Sequence, residues 1–193
     1  MGKVINMRKK RYFQRIYEFD EASKTYLIKV SLDDYNDVYD DWDHSPFKKR
    51  DIEHEFNDYI ANSSEDIPLQ HSISIVLYLP VLKKNDMKET ALISAYQNYY
   101  SYGIERLKKT KFNLNKRTLL HLMLSLFLLS IGSFFIGDQN VFFKVLHEGI
   151  FIGGWVFLWE FFTNITITTR EMQNEYRLYN RLYHAEIRFI YEE

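Results

Sequence analysis

Glu160 is the residue with the clearest chemical meaning. It is the one formal charge in the apolar run GIFIGGWVFLWEFFTNITITT (149–169). A carboxylate in such a run is costly unless it is paired, functional or placed at a polar boundary. An earlier run, TLLHLMLSLFLLSIGSFFIG (118–137), has no formal charge. Antiparallel packing of the two brings Glu160 level with His121 and Leu122, where a Glu160–His121 hydrogen bond can form. The alternative is a carboxylate that reaches out to the interface beside Trp159. Five of the seven glycines fall between 132 and 154. Gly149-x-x-x-Gly153, with Gly154 beside it, permits close helix approach in lipid, either against the first run or between copies of the chain in a homo-oligomer.

Other chemistry-bearing residues carry less. Lys48, Lys49 and Arg50 follow Ser45-Pro46, a helix-start pattern, and can grip a phosphate there; the competing reading is a charged helix face. Asp33, Asp34, Asp37, Asp40, Asp41 and Asp43 could hold a divalent cation, but they lack the alternation and the glycine of an EF-hand loop and read as a solvated loop. The 15 Phe and 15 Tyr offer stacking surfaces, most of them expected in a core. Catalysis finds no foothold. There is no Gly-rich phosphate loop, no nucleophile motif and no zincin-like His-Glu spacing, and His44, His54, His71, His147 and His184 are scattered. The chain reads as non-enzymatic, without metal or cofactor.

These residues need elements to hold them. About twenty residues at a 1.5 Å rise cross a hydrocarbon core of roughly 30 Å. Two membrane spans, about 118–137 and 145–165, joined at Asp138-Gln139-Asn140, fit the two apolar runs. A soluble helical hairpin would need a polar stripe each turn, and the first run has only His121 and a few serines. Arg106, Lys108, Lys109, Lys111, Lys116 and Arg117 crowd the entry, and Arg170, Arg177 and Arg181 follow the exit. The connecting turn has only Lys144. Both termini are therefore expected in the cytoplasm. The N-terminus, MGKVINMRKKRYF, is basic with no apolar core behind it and does not read as a secretory signal. Asn6 argues against myristoylation of Gly2.

Composition bounds the rest. Mean hydropathy is −0.35 and net charge −1, so the flanks of the spans are strongly polar, and binding of DNA or RNA through charge alone is not expected. The absence of cysteine excludes disulfides, thiolate catalysis and thiolate-ligated zinc.

Residues 11–19 and 25–31 read as a β-hairpin around Asp20–Ser23. A helix is expected over 51–61, with Ile52, Phe56, Tyr59 and Ile60 on one face. HSISIVLYLP (71–80) is the clearest strand, with Ile73, Ile75, Leu77 and Leu79 facing one way. A long helix starts near Asp86, where Glu89 is placed for a capping box. Residues 170–184 are helical, and 185–193 alternate as a last strand whose only available sheet is the N-terminal one. The fold expected is an α+β membrane protein: a two-helix transmembrane hairpin (111–169) inserted into a discontinuous cytosolic antiparallel-sheet domain (1–110 and 170–193). Helices 86–110 and 170–184 would couple that domain to the spans.

The stretch DDYNDVYDDWDHSPFKKRDIEHEFNDYIANSSEDIPLQHSISIVLYLP (33–80) and the run LHEGIFIGGWVFLWE (146–160) resemble a bacterial family of small two-span membrane proteins that carry a Glu-Gly-…-Gly-Gly-Trp-…-Trp run. The likeness extends over most of the chain and its order. The layout is also similar to the two-transmembrane β-domain effectors of nucleotide-signalling antiphage defence, including the Panoptes type. That resemblance implies an inner-membrane effector whose cytosolic domain senses a cyclic oligonucleotide made by a partner synthase, and whose spans disrupt the lipid bilayer when activated or released. It transfers no ligand-contacting residue. The alternative is a non-toxic membrane-anchored scaffold that binds a cytosolic protein.

Overall fold

The computed structural model describes residues 12–40, 51–134 and 141–193. In chain order the elements are α1 (Phe13–Ile16), β1 (Glu18–Asp20), β2 (Thr25–Ser31), α2 (His54–Asp66), β3 (Ser72–Pro80), α3 (Asp86–Phe134), α4 (Val141–Thr163), α5 (Thr169–Tyr183) and β4 (Glu186–Glu192). Short 3-10 turns occupy Tyr35–Val38 and Val81–Lys83, and a π-helical turn, Asn164–Thr168, joins α4 to α5. The chain divides into two units, one of residues 1–103 with 177–193 and the other of residues 104–176.

The first unit is built on a four-stranded sheet of order β1-β2-β3-β4. Only β1 and β2 are antiparallel, joined by a tight turn in which Lys24 takes a φ of 56°. The other two pairings are parallel, with Ile28 opposite Ile75 and Leu77 opposite Phe189. The expected antiparallel sheet is thus corrected to a mixed one. Parallel neighbours require a long crossover. Here α2 carries the chain from β2 to β3, and α3, α4 and α5 carry it from β3 to β4. Side-chain alternation has the same period in either direction, so it could not reveal strand polarity.

Alternation does sort the faces. Tyr26, Ile28, Ile73, Ile75, Leu77 and Leu79 point into a core shared with Phe56 and Ile60 of α2, Leu92, Ala95, Tyr96 and Tyr100 of α3, and Leu182 of α5. Burying one Leu or Ile fully contributes roughly 1.5–3 kcal/mol. The other face is polar. Thr25 and Ser74 hydroxyls bond at 2.9 Å, Lys29 pairs with Glu18 at 2.6 Å, and Arg188 of β4 reaches Asp20 of β1 at 2.7 Å.

Helix ends are satisfied by side chains. Glu53 caps α2 by accepting from Phe56 N–H at 2.9 Å. At the other end the Arg181 guanidinium donates to the Ser64, Ile67 and His71 carbonyls, 2.7 Å each, where orphan acceptors and the dipole favour a cation. Asn85 caps α3, its carbonyl oxygen accepting from Met87 and Lys88 N–H at 3.1 Å, so that Lys88 rather than Glu89 holds the third helical position of a capping box. The expected hairpin forms with a shorter first strand: Glu18 and Phe19 pair with β2, while Phe13–Ile16, expected in the same strand, form the single turn α1. It sets Phe13 against Tyr26, with ring centroids 5.3 Å apart.

In the second unit the helices are long. The whole of α3 has 49 residues, about 73 Å at 1.5 Å per residue. Both α3 and the α4–α5 helix contain stretches long and apolar enough to cross a membrane, and only 11 % and 6 % of those stretches is buried.

Candidate functional site

Because β2, β3 and β4 are parallel, their carboxyl ends lie side by side, with Ser31 opposite Tyr78 and Pro80 opposite Glu192. Outside the carboxyl ends of parallel strands is where open α/β sheets bind ligands. Here the turn after β2 supplies Asp34 and Tyr35, the turn after β3 supplies Lys83 and Lys84, the first turn of α3 supplies Lys88 and Glu89, and β4 supplies Tyr191. Asp34 caps the 3-10 turn, and its carboxylate takes a 2.8 Å bond from Lys83, with Lys88 at 3.7 Å. The Lys83 bond holds the Asp34 carboxyl below the usual range. Asp37 accepts from the Asp33 and Asp34 N–H groups at 2.8 Å.

Two phenols run through the middle of this cluster. Tyr191 donates to Glu89, so its oxygen accepts from Tyr35, at 2.7 Å. Tyr35 in turn accepts from Asn85 N–H at 3.2 Å. The chain of donors therefore has one direction, from Asn85 through Tyr35 and Tyr191 to Glu89. Burial, followed by the Glu89 and Tyr35 bonds, pushes the Tyr191 phenol up, so it holds its proton at neutral pH and is no nucleophile. Lys84 lies 5.5 Å from the Tyr191 ring and Lys88 5.6 Å from that of Tyr35. Ammonium groups on flexible stems, aromatic faces and a helix N-terminus can bind an anion.

Lys48, Lys49 and Arg50 lie outside the described residues, as do Asp41 and Asp43. The two ends of their segment are drawn together by an antiparallel bridge between Tyr39 and Ile52. Asp34 and Asp37 serve as caps, and among the described residues no group of His, Asp and Glu is arranged to hold a metal ion.

The second unit brings together most of the hairpin residues singled out in the sequence, in a different grouping. Glu160 pairs with Arg117, Nη2 to Oε1 3.8 Å, one turn before His121. The His121 ring lies near Phe157, centroids 5.8 Å apart, and its Nδ1 is buried without a partner among the described residues, as are Ser125 Oγ and Asn164 Nδ2. Of the described hairpin glycines Gly154 has the least room: a Cβ there would lie 2.8 Å from Leu129 Cγ. A Cβ on Gly132 would meet Phe151 at 3.2 Å, one on Gly153 only Leu128 at 3.8 Å, and one on Gly149 nothing within 4 Å. The close-packing pair is thus Gly154 with Gly132, and Gly149 takes no part in it. Beside it, His147 Nε2 donates to the Gly132 carbonyl at 2.6 Å.

Arg117, Ser125, Gly132 and Asn164 were not singled out from the sequence. A signal existed for some of them. Thr118, Ser125 and Gly132 recur every seven residues on α3, and His147, Gly154 and Phe161 do so on α4, the repeat of a helix–helix seam. The π turn at Asn164 adds a residue to the helical repeat, a feature frequent at functional sites. Family models, curated proteins and solved structures, compared with the chain, yield no match.

Proposed function

We propose that this protein is a non-catalytic effector of the bacterial inner membrane, with both termini in the cytoplasm. Its α+β unit would bind a cyclic oligonucleotide from a partner synthase at the carboxyl ends of the parallel strands. Binding would alter the packing of the two spans and so disrupt the bilayer, in the manner of antiphage defence. One observation carries the reading: α3 begins in the lysine and tyrosine cluster, at the Asn85 cap, and runs unbroken to Phe134 within the first apolar run. A ligand at its first turn acts on the helix that also forms the hairpin. To turn a resting population of about 1:99 into 99:1, the ligand must prefer the active packing by roughly 5.5 kcal/mol.

The test is thermal stability of the detergent-solubilised full chain against a panel of cyclic di- and oligonucleotides. A ligand that binds only the folded state raises the melting temperature by mass action. A shift that disappears in Lys83→Ala/Lys88→Ala supports the reading. No shift across the panel overturns the nucleotide part of it.

A scaffold reading has one observation in its favour. β4 stands at the end of the strand order with seven residues, a length that suits addition of a partner's strand. Induced expression separates the two: an effector depolarises cells and a scaffold does not.

A further inference from the structure

We propose that β4 is a self-association edge, along which two copies of the chain pair antiparallel about Ile190 and join their sheets into one. β4 is the outer strand of the order. All seven of its residues are half-buried or exposed, whereas its neighbour β3 buries six of nine. Among the described residues no backbone is bonded to its free side. The opposite edge, β1, has three residues and is a short template. An open edge is a template for another strand unless proline, a bulge or charge blunts it. β4 has no proline, and it pairs with β3 without interruption from Ser74↔Glu186 to Pro80↔Glu192.

The charges of β4 choose the occupant. For two cores to lie on one side of a joined sheet, some residue must face its own copy at the two-fold axis, because alternate residues point to opposite faces. Three such registers oppose five or more residues of β4. Centred on Arg188, the two arginines face each other. Centred on Phe189, Glu186 faces Glu192. Like charges directly opposite are destabilising. Centred on Ile190, Arg188 faces Glu192 of the second copy, and the same pair recurs across the axis. Glu192 is exposed and has no ion pair among the described residues. Arg188 uses three N–H donors on Glu186 and Asp20, and a guanidinium has five. Ile190, 40 % exposed on the face that bears Arg188, covers its own copy. On the core face Phe189 of the second copy stands opposite Tyr191, Cβ atoms about 4.5–5.5 Å apart. Tyr191 bonds Tyr35 and Glu89 in the strand-end cluster, so each cluster abuts the second copy. The pairing needs neither the membrane nor the nucleotide reading.

The test uses the detergent-solubilised full chain, which has no cysteine of its own. Sedimentation should give a dimer. Ile190→Cys should then crosslink between chains on mild oxidation or with a short bismaleimide. Glu186→Cys, on the same face, should not, because its copy lies about 27 Å away along the paired strands. Glu192→Lys turns both opposed pairs into like charges and should cut the Ile190→Cys crosslink by about fivefold or more. Glu193→Lys makes the same charge change one residue on, opposite Ile187, and should keep most of it. A monomer, a dimer without the Ile190→Cys crosslink, crosslinking of Glu186→Cys as readily, or an equal loss in Glu193→Lys would overturn the pairing.

Discussion

The two units put their side chains in opposite places. In the first, Ile28, Ile60, Ile75, Leu77 and Leu92 are fully buried and the ion pairs lie outside. In the second, Leu119, Leu120, Met123, Phe127, Trp155 and Trp159 are exposed, while Thr118, Ser125, Gly132, Gly154 and Asn164 are buried. Water drives apolar surface together. Hydrocarbon gives it no such push, and helices in lipid associate through small residues and polar side chains instead. One chain thus carries two packing rules. The change between them supports placing the second unit in a bilayer.

The largest effect that can break this contrast is in the core. Leu77→Ala should cost the first unit roughly 2–5 kcal/mol, read by chemical denaturation of the solubilised chain. Leu119→Ala, the same chemical change on the exposed face of the hairpin, should cost far less. Equal losses would show that the second unit packs like a soluble bundle.

The next test separates the glycines. The chain has no cysteine, so Leu128→Cys with Gly153→Cys gives a clean crosslink report on the seam. Adding Gly154→Leu should lower the crosslinking yield severalfold, because the Leu129 backbone and side chain stand within 3.2 Å of the new Cβ. Gly149→Leu should leave the yield unchanged. A loss at Gly149 would place it in a contact between copies.

A smaller effect is expected at the strand ends. Asp34→Asn releases Lys83 and Lys88 from their carboxylate. Exposed pairs of this kind are worth about 0.2–1 kcal/mol, so affinity for pyrophosphate as a probe should rise by up to about fivefold. Weaker binding would remove these lysines from the anion site.

The smallest effect is a pH dependence. The Arg188 bond first, then the Ser23 hydroxyl and the Ala22 N–H, hold the Asp20 carboxyl down to about 2 from an ordinary 3.8. A carboxyl lowered in the folded state stabilises above its unfolded pKa and loses that contribution as pH falls through the folded one. Asp20→Asn should therefore be less stable than the unaltered chain above pH 4, with the difference closing toward pH 2. A constant gap would point to the Asp20 turn rather than its charge.

What the sequence disclosed follows from what periodicity records. β3, α5, β4 and the two apolar runs stand out because their side-chain repeat is set by the element they form. Strand direction leaves no trace in that repeat, and the crossover lengths were the better guide to polarity. Glu160 was visible as a charge in an apolar run, but its register was set from the ends of the runs. An error of one turn there exchanges Arg117 for His121. Lys83, Lys84 and Lys88 look like ordinary turn and helix-start residues in the sequence. They gain meaning only when three strand ends, at residues 31, 80 and 192, are drawn together.

The Arg181 clasp on α2 has a consequence for biosynthesis. Arg181, Leu182 and β4 complete the first unit, yet they leave the ribosome after both apolar runs. The sheet lacks an edge strand, and α2 its C-terminal clamp, until both apolar runs have been synthesised. Protease resistance of Tyr26 and Ile75 in arrested nascent chains should therefore appear only once residue 193 clears the exit tunnel. Early resistance would show that residues 12–103 close without their last strand. The order of synthesis then leaves the first unit incomplete until both apolar runs have emerged.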